Sequence, residues 1–327
     1  MQIQTSLTEA GETAKTQNRL ANLIIAGVNK AATTSLYTYL AGHPEVCGSS
    51  IKETNYFMPV AYGKPLPALE TYAEYFHSSG ERRYRMEASP RYIFGGGKLA
   101  ETIRQNLGPV RIIFVLRQPI TRLVSYFNHV KNSGELPKEA SCDEYVGRAL
   151  AELPGAMDRA KGKPVDVYRE SVFLRGLAQG FYTDYLEEWY SVFPDTIRIY
   201  FFESLTKDPG SVMEDLCTWL EIDPSMYRNS EFSWENRTMK HRSRKIQLIG
   251  DFINKKWEPF WRRHTKIKSF ARDIYCRINE KHSDDGQLSP ARRADLEKVY
   301  GPYNQKLKRM LCQKGYVNLP GWLSKSA

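Results

Sequence analysis

The sequence predicts an α/β fold, in which a single domain is built on a central parallel sheet flanked by helices. Short apolar runs rich in β-branched residues alternate with segments whose apolar residues recur at helical spacing. The run RIIFVL at residues 111–116 lacks polar alternation, as expected of a strand that is buried on both faces. The 327 residues show no internal repeat and can bury one substantial core.

The predicted elements follow one another along the chain. Strands are expected at residues 23–26, 83–87, 111–116 and 196–202, with a short extended piece at 46–47. Helices are expected at 33–40, 69–76, 98–107, 120–131, 172–193, 208–220 and 290–311. A loop is expected at the glycines 95–97. Asp208 and Pro209 suit the cap and first turn of their helix.

Three stretches stand apart from this core. Residues 1–20 are polar and predict a flexible N-terminal arm, which leaves 21–327 as the folded domain. Residues 132–170 are polar and punctuated by Gly and Pro, and this composition predicts an insertion or mobile region. Residues 237–272 form a basic segment with apolar residues near helical spacing, which predicts a basic helical segment with one packed face.

The composition excludes several classes of protein. A hydrophobic content of 41% and a charged content of 26% are typical of a globular domain. The five cysteines are scattered without a C-x-x-C pair, which argues against a disulfide framework or zinc site and favours a reducing compartment. The polar N-terminus and the absence of a long apolar run give no sign of a signal peptide or membrane span, so a cytoplasmic location is expected.

The net charge of +10 is concentrated in one place. Residues 237–272 contain 12 Lys or Arg and only two acidic residues, a balance of +10. This excess indicates an anionic ligand, substrate or surface, so the segment could contact an anionic surface peripherally. A solvated basic face explains most of these residues equally well.

The stretch around GVNKAATTSL has the form of an anion site. A buried strand, a loop with Lys30, and a helix start bearing Thr33, Thr34 and Ser35 follow one another directly. Free N–H groups at the helix N-terminus attract anions, and Lys30 adds a full charge. The order differs from G-x-x-x-x-G-K-[ST], because the lysine comes early. An ordinary strand-to-helix turn with a surface lysine is the alternative.

A second informative stretch is LRQPITRLVSYF at residues 116–127. Arg117 follows the carboxyl end of a central strand, where open α/β sheets bind ligands. Ser125 lies in the next helix and shares a face with Arg122, for which a surface salt bridge is an equally good explanation. Because the arginine guanidinium can donate two parallel hydrogen bonds to one oxyanion group, this stretch suits a second phosphate. Two such sites on neighbouring strand ends predict a ligand with two separated phosphates.

At this point the sequence resembles a known family. GVNKAATTSL is similar to the 5′-phosphosulfate loop, and LRQPITRLVSYF to the 3′-phosphate motif, of sulfotransferases that use 3′-phosphoadenylyl sulfate (PAPS). GHPEVCGSSIKETNYF, MEASPRY, IRIYFFESLTKDP and PYNQKL also resemble the heparan-sulfate-type and bacterial carbohydrate enzymes in order and spacing. The resemblance covers residues 22–322. It implies a P-loop-like sulfotransferase fold, PAPS as the donor, and no metal.

The resemblance also assigns roles to residues. Lys30 would stabilise the leaving phosphate and Glu53, in the Lys-Glu-x-x-Tyr-Phe stretch, would be the general base; an ordinary loop carboxylate paired with Lys52 is the alternative for Glu53. Residues implied to bind the cofactor are Ala31, Ala32, Thr33, Thr34, Ser35, Arg117, Ser125, Tyr182, Arg242, Ser243, Arg244 and Lys245. Residues implied at the acceptor site are Glu87, Arg91 and Tyr56. Glu87 is the second choice for the base and could orient Arg91 or the acceptor; a structural ion pair is the equal alternative for it. One departure is Ala32, where the family often has glycine.

The acceptor is expected to be a glycan or a small-molecule alcohol or amine, with no nucleic-acid partner; the sequence does not predict an oligomeric state. Two other classes of function remain open. A P-loop kinase or other NTPase would need the G-K-[ST] order and a magnesium-binding acid. A non-enzymatic binder of anionic polymers or membrane surfaces would use residues 237–272.

Two histidines are other possible general bases. His43 is expected instead to shape the turn before Pro44, and His129 lies far along its helix.

Overall fold

The computed structural model describes residues 20–77, 80–228, 232 and 288–324. Five parallel strands form the central sheet in the order β2-β3-β1-β4-β5. They are β1 (Leu23–Gly27), β2 (Val46–Gly48), β3 (Tyr84–Ala88), β4 (Arg111–Leu116) and β5 (Ile197–Phe201). Every predicted strand is present, and the predicted single α/β domain with a parallel sheet is confirmed.

The register of the sheet brings the carboxyl ends of three strands near one another. Ile25 of β1 lies opposite Ala88, the last residue of β3, and Gly27, the last residue of β1, lies opposite Phe114 of β4. Leu116, the last residue of β4, lies opposite Phe201, the last residue of β5. Because the strands are parallel, the loops that follow β1, β3 and β4 emerge at one edge of the sheet, where open α/β sheets bind ligands.

Helices cover the sheet, with short 3₁₀ turns at Glu74–Phe76, Tyr92–Gly95 and Ser225–Tyr227. The helices are α1 (Thr33–Ala41), α2 (Met58–Ala61), α3 (Leu69–Ala73), α4 (Gly96–Leu107), α5 (Pro119–Ser133), α6 (Cys142–Ala160), α7 (Val172–Ala178), α8 (Tyr182–Val192), α9 (Phe202–Lys207), α10 (Pro209–Leu220), α11 (Pro290–Gln313) and α12 (Gly321–Ser324). None of the helices in the described ranges is both long and apolar enough to cross a bilayer.

The local signals at helix starts are confirmed. The Asp208 side chain accepts a hydrogen bond from the Ser211 backbone N–H at 3.0 Å and caps α10, with Pro209 in the first turn. Gln118 does the same for α5, since its side chain accepts from the Thr121 N–H at 2.6 Å. This cap holds the turn that carries Arg117.

The single helix predicted at residues 172–193 is wrong, because the chain breaks there into α7 and α8. At Gly180 a Cβ would lie 2.6 Å from the ring of Tyr300, so α11 packs against the break. The Tyr300 hydroxyl donates to the Leu177 carbonyl at 2.8 Å, where α7 ends. Apolar residues keep the helical period across the break, and the pattern therefore could not reveal it.

Residues 132–170, predicted as an insertion or mobile region, contain the 19-residue helix α6, which was not predicted from the sequence. Ser141 and Glu144 form a capping box at its start, and Tyr145 is buried against α7. The polar composition hid this helix, since only one face is apolar, and Pro154 lies inside the helix rather than ending it.

The loop predicted at residues 95–97 is also absent, because α4 begins at Gly96. Gly96 has φ of 60°, and a Cβ there would overlap the carboxylate of Glu188. The Gly97 N–H donates to the same carboxylate at 2.8 Å. The glycines thus allow a close helix contact, which a run of glycines does not distinguish from a loop.

Two predicted segments lie outside the described residues. They are the N-terminal arm up to residue 19 and the basic segment 237–272, including Arg242, Ser243, Arg244 and Lys245. At the beginning of the described chain, Leu20 and Ala21 are buried in the core.

Candidate active site

Three loops at the carboxyl edge of the sheet form the candidate site. Residues 28–32, here called the lysine loop, connect β1 to α1. Arg117 follows β4. Residues 53–57, here called the glutamate segment, lie against the end of β3, where the Glu53 N–H donates to the Ala88 carbonyl at 2.9 Å. The structure therefore brings Lys30, Arg117 and Glu53 to one edge of the sheet, as the sequence predicted.

The backbone of the lysine loop is shaped for an anion. Lys30 and Ala32 have left-handed φ values of 68° and 61°, and such a winding turns successive N–H groups toward one side. Ala32 is the N-cap of α1, and it has no side chain that could cap the helix. The N-terminus of this nine-residue helix therefore faces the lysine loop with its backbone N–H groups and the positive end of its dipole.

The hydroxyls at the start of α1 differ in exposure. The side chains of Thr33 and Ser35 are buried, whereas that of Thr34 is partly exposed. Thr34 is thus the hydroxyl best placed to meet a ligand. Thr33 and Ser35 are better placed to contribute their backbone N–H groups. Ala31 is buried and contributes backbone alone.

Lys30 and Arg117 form one cationic unit. Arg117 Nη1 donates to the Lys30 carbonyl at 2.9 Å, and the guanidinium lies 4.1 Å from the centre of the Phe202 ring. Burial and then the charge of Arg117 lower the pKa of Lys30, while Glu53 opposes this shift. Burial also lowers the pKa of Arg117, against the opposing charge of Glu203. Two desolvated cations side by side are an arrangement that a bound anion would stabilise.

Tyr182 supports Arg117 from below. Its side chain is only 1% exposed, and its hydroxyl donates to the Arg117 carbonyl at 2.7 Å. Burial raises the pKa of Tyr182 to about 12, so the hydroxyl keeps its proton. In this structure Tyr182 supports the turn that carries Arg117, and its nucleotide contact stays a prediction. Ser125, the other predicted partner of the 3′-phosphate, is half-buried on α5.

Arg122 is fully buried, so its interpretation as a surface salt bridge is wrong. Its guanidinium donates to the Gln179 side-chain oxygen at 3.3 Å and to the Gly176 carbonyl. The same Gln179 oxygen accepts from Asn29 of the lysine loop at 3.1 Å. Sequence reasoning missed Gln179, which links the lysine loop to α5, because no local pattern connects residues 150 positions apart.

Glu53 stands in the glutamate segment with a left-handed φ of 62°. Its carboxylate is 2.6 Å from Lys52 Nζ, and its side chain is 45% exposed. Its charge acts on both Lys30 and His129. The ion pair with Lys52 is therefore present, and Glu53 also lies within electrostatic reach of Lys30. The two interpretations of Glu53 are compatible, because one carboxylate oxygen can pair while the other meets an acceptor.

Glu87 does not line the site, contrary to the prediction that it binds the acceptor. It is fully buried, and four hydroxyl groups donate to its carboxylate. No cation is among these partners, so the predicted ion pair is replaced by a hydroxyl cluster. Sequence reasoning found Glu87 but missed its donors, which come from separate parts of the chain: Thr54, Tyr72, Ser89 and Tyr92.

The other two predicted acceptor residues differ from each other. Tyr56 is 6% exposed and its hydroxyl donates to the Pro67 carbonyl at 2.6 Å, so it packs behind the site. Arg91 is half-buried, and its Nη2 lies 3.5 Å from the Asn55 side-chain oxygen. Of the three predicted acceptor residues, Arg91 alone presents a charged group beside the glutamate segment.

The two histidines also differ. His43 Nδ1 accepts from the Glu45 N–H at 3.1 Å, which leaves Nε2–H to donate to the Asp223 carbonyl at 2.9 Å. His43 therefore shapes the turn, as expected. His129 lies on α5 with part of its side chain exposed; desolvation of the ring and then the charge of Lys30 lower its pKa, with Glu135 and Glu53 opposing. A lowered pKa favours the neutral imidazole, and His129 therefore stays a candidate base.

The residue at position 32 gives a direct test of the lysine loop. Ala32→Gly is expected to raise the free energy of unfolding by up to about 1 kcal/mol, since glycine avoids the left-handed strain that alanine carries. Chemical unfolding measures this change. Ala31→Gly is the matched control, because Ala31 lacks a positive φ and should lose stability. Equal losses in both variants would contradict the strained geometry.

The chain is similar in sequence to known sulfotransferases. The sulfotransferase domain model matches residues 20–272. Human bifunctional heparan sulfate N-deacetylase/N-sulfotransferase 3 is 23% identical over 299 residues, covering 87% of this chain and 32% of that protein. Human heparan sulfate glucosamine 3-O-sulfotransferase 5 is 29% identical over 307 residues, covering 90% of this chain and 75% of that protein. The chain thus spans about a third of the length of the bifunctional relative.

The fold is also found among solved structures. The crystal structure of a sulfotransferase from Alicyclobacillus acidocaldarius superposes with a TM-score of 0.60 at 18% identity, covering 92% of this chain and 98% of that one. At this identity the likeness shows the fold alone.

Among the described residues, no three His, Cys, Asp or Glu side chains cluster in a way that could hold a metal ion.

Proposed function

Because this chain belongs to the sulfotransferase domain family and is an enzyme that transfers sulfate, we propose that its donor is PAPS. The product would be adenosine 3′,5′-bisphosphate, and the acceptor a hydroxyl or amine of a glycan or small molecule. The observation that carries the proposal is the cationic unit of Lys30 and Arg117. Family membership disfavours the kinase and the non-enzymatic binder as alternatives.

The donor proposal rests on the position of the two cations. Lys30 belongs to the loop that opens α1, and Arg117 to the neighbouring strand end, joined by the 2.9 Å hydrogen bond between them. A ligand with a phosphosulfate at one end and a phosphate at the other could contact both. Because the two cations lie side by side, a triphosphate could also contact both, and the comparison of the bisphosphate with ATP is therefore made by titration.

The chemistry would divide among few residues. The acceptor oxygen or nitrogen attacks sulfur, the bond from sulfur to the bridging phosphate oxygen breaks, and that oxygen keeps the electron pair. Lys30 and the N–H groups at the start of α1 would stabilise the growing negative charge, which is usually the largest contribution to catalysis. Glu53 would accept the proton that the acceptor loses.

The acceptor proposal draws on the named relatives. Both human relatives are named for heparan sulfate, one as an N-sulfotransferase and one as a glucosamine 3-O-sulfotransferase. A glycan acceptor is therefore proposed first. Arg91 and Lys52 beside Glu53 would suit an acceptor that carries negative charge.

Calorimetric titration with adenosine 3′,5′-bisphosphate, ATP and AMP tests the donor. The wild type is expected to bind the bisphosphate tightly and the other two weakly. Arg117→Ala should weaken bisphosphate binding by roughly tenfold or more, since a charge-assisted contact contributes about 1.5–3 kcal/mol. Arg111→Ala is the matched control, because Arg111 lies at the opposite end of the same strand and pairs with Glu221.

The outcomes separate the proposals. Loss of binding in Arg117→Ala alone would establish the donor site, and labelled PAPS would then be tested with N-desulfated heparan sulfate, which offers both amines and hydroxyls. Equal or absent binding of all three nucleotides would overturn PAPS as the donor. Turnover that requires magnesium would point instead to phosphoryl transfer.

A further inference from the structure

The buried carboxylate of Glu87 is connected to the glutamate segment through three hydroxyl groups. Its Oε1 accepts from Thr54 Oγ1 at 2.5 Å, Ser89 Oγ at 2.7 Å and the Tyr92 hydroxyl at 2.6 Å. Its Oε2 accepts from the Tyr72 hydroxyl. Four donors with no cation among them are unusual for a buried carboxylate and call for an explanation beyond charge pairing.

Each hydroxyl on Oε1 accepts a backbone N–H in turn. The Asn55 N–H donates to Ser89 Oγ at 3.1 Å, the Tyr56 N–H to Thr54 Oγ1 at 3.3 Å, and the Phe57 N–H to the Tyr92 hydroxyl at 3.2 Å. Because a hydroxyl has one proton, donating it to Glu87 leaves only lone pairs for the backbone. The carboxylate therefore orients three hydroxyls so that they receive three consecutive N–H groups.

This arrangement holds a strained piece of chain. Glu53 and Asn55 have left-handed φ values of 62° and 51°, and such strain persists only where surrounding contacts fix the backbone. Asn55 adds a side-chain bond to the Glu53 carbonyl at 2.8 Å. The three N–H bonds and the Glu53 N–H bond to Ala88 supply the remaining restraint.

We propose that Glu87 is a positioning residue for sulfuryl transfer: through Thr54, Ser89 and Tyr92 it fixes the backbone that aims Glu53 at the acceptor. This inference rests on the proposed function, because it takes Glu53 as the base. Glu87 itself touches no substrate. Its effect is predicted on kcat, since misplacing a base slows the chemical step without removing the donor site.

Two near-isosteric variants separate positioning from stability. Thr54→Val removes one of the three connecting hydroxyls, whereas Tyr72→Phe removes a donor to the same carboxylate that receives none of these three backbone N–H groups. Thr54→Val should lower kcat by roughly ten- to a hundredfold, as expected for a displaced catalytic group. Its affinity for adenosine 3′,5′-bisphosphate should stay unchanged. Tyr72→Phe should keep kcat near wild type.

The role of Glu87 is tested by two substitutions, one that keeps a hydrogen-bond acceptor and one that removes it. In Glu87→Gln the amide oxygen can still accept from the three hydroxyls while its NH₂ group faces Tyr72, so much of kcat should be retained. Glu87→Leu offers no acceptor and should lose kcat. If Glu87→Leu fails to fold, the comparison of Thr54→Val with Tyr72→Phe still distinguishes a positioning role from a purely structural one. Rates are measured with PAPS and N-desulfated heparan sulfate.

Amide hydrogen exchange provides a readout independent of activity. Thr54→Val should speed exchange at the Tyr56 amide, and Tyr72→Phe should leave it unchanged. Equal loss of kcat in Thr54→Val and Tyr72→Phe, in step with their loss of thermal stability, would overturn the positioning role. A wild type that transfers no sulfate while the exchange pattern holds would instead refute the proposed function.

Discussion

Replacing Lys30 with alanine is expected to lower kcat by about 10²–10³-fold, the loss typical of removing one group that stabilises developing charge. The reason is the environment of Lys30 in the lysine loop, where burial and then the charge of Arg117 lower the pKa of its ammonium group. Such a cation gains more from the leaving phosphate than an exposed lysine would, because little water screens it. Single-turnover rates with PAPS measure this loss apart from product release.

Two controls make the Lys30 result specific. Lys30→Arg keeps the charge and should retain part of the rate. Lys163→Ala removes an exposed lysine from the loop after α6 and should leave the rate unchanged. A Lys30→Ala enzyme with wild-type kcat and weakened donor affinity would show that Lys30 contributes to binding alone.

The pH dependence of donor binding gives a second signature of Lys30. Its pKa lies below the ordinary 10.5 in the folded protein, and an anion bound beside it would favour the charged form. Affinity for adenosine 3′,5′-bisphosphate should therefore be full below that lowered pKa and fall as the pH rises through it. In Lys30→Ala this alkaline decline should be absent. Titration calorimetry at a series of pH values measures it.

Sequence alone was sufficient to predict those parts of the fold and the site that depend on residues close together in the chain. The strand run ending at Leu116 and the helix predicted from residue 120 place Arg117 at the sheet edge from sequence alone. The lysine loop is equally local, since one strand and one helix define it. Parallel pairing then brings the two together without further information, as strand ends of a parallel sheet share an edge.

Contacts between distant residues could not be predicted in this way. Glu87 was identified as a strand-end carboxylate, but its contacts with the hydroxyls of Thr54 and Tyr72 depend on how the connection between β2 and β3 packs against β3. The burial of Tyr182 likewise depends on α8 packing beneath Arg117. Residue type and spacing define what a side chain can do, whereas its exposure follows from packing between elements.

Replacing Glu53 with glutamine is expected to lower kcat by about 10²–10⁴-fold, the range of general-base catalysis. Glutamine keeps the size of the side chain but cannot take the acceptor's proton. Affinity for adenosine 3′,5′-bisphosphate should change little, because the donor is held by the lysine loop and Arg117. Losing the half-exposed pair with Lys52 should cost at most about 1 kcal/mol of stability.

His129→Asn decides between the two candidate bases. The charge of Lys30 and partial burial lower the pKa of His129, so a rate that depended on it would fall as the pH drops through a value below 6.5. If Glu53 is the base, His129→Asn retains most of kcat and Glu53→Gln does not. The reverse result would assign the proton to His129 and leave Glu53 as the partner of Lys52. Glu53 would then influence the rate only through its charge, which acts on both His129 and Lys30.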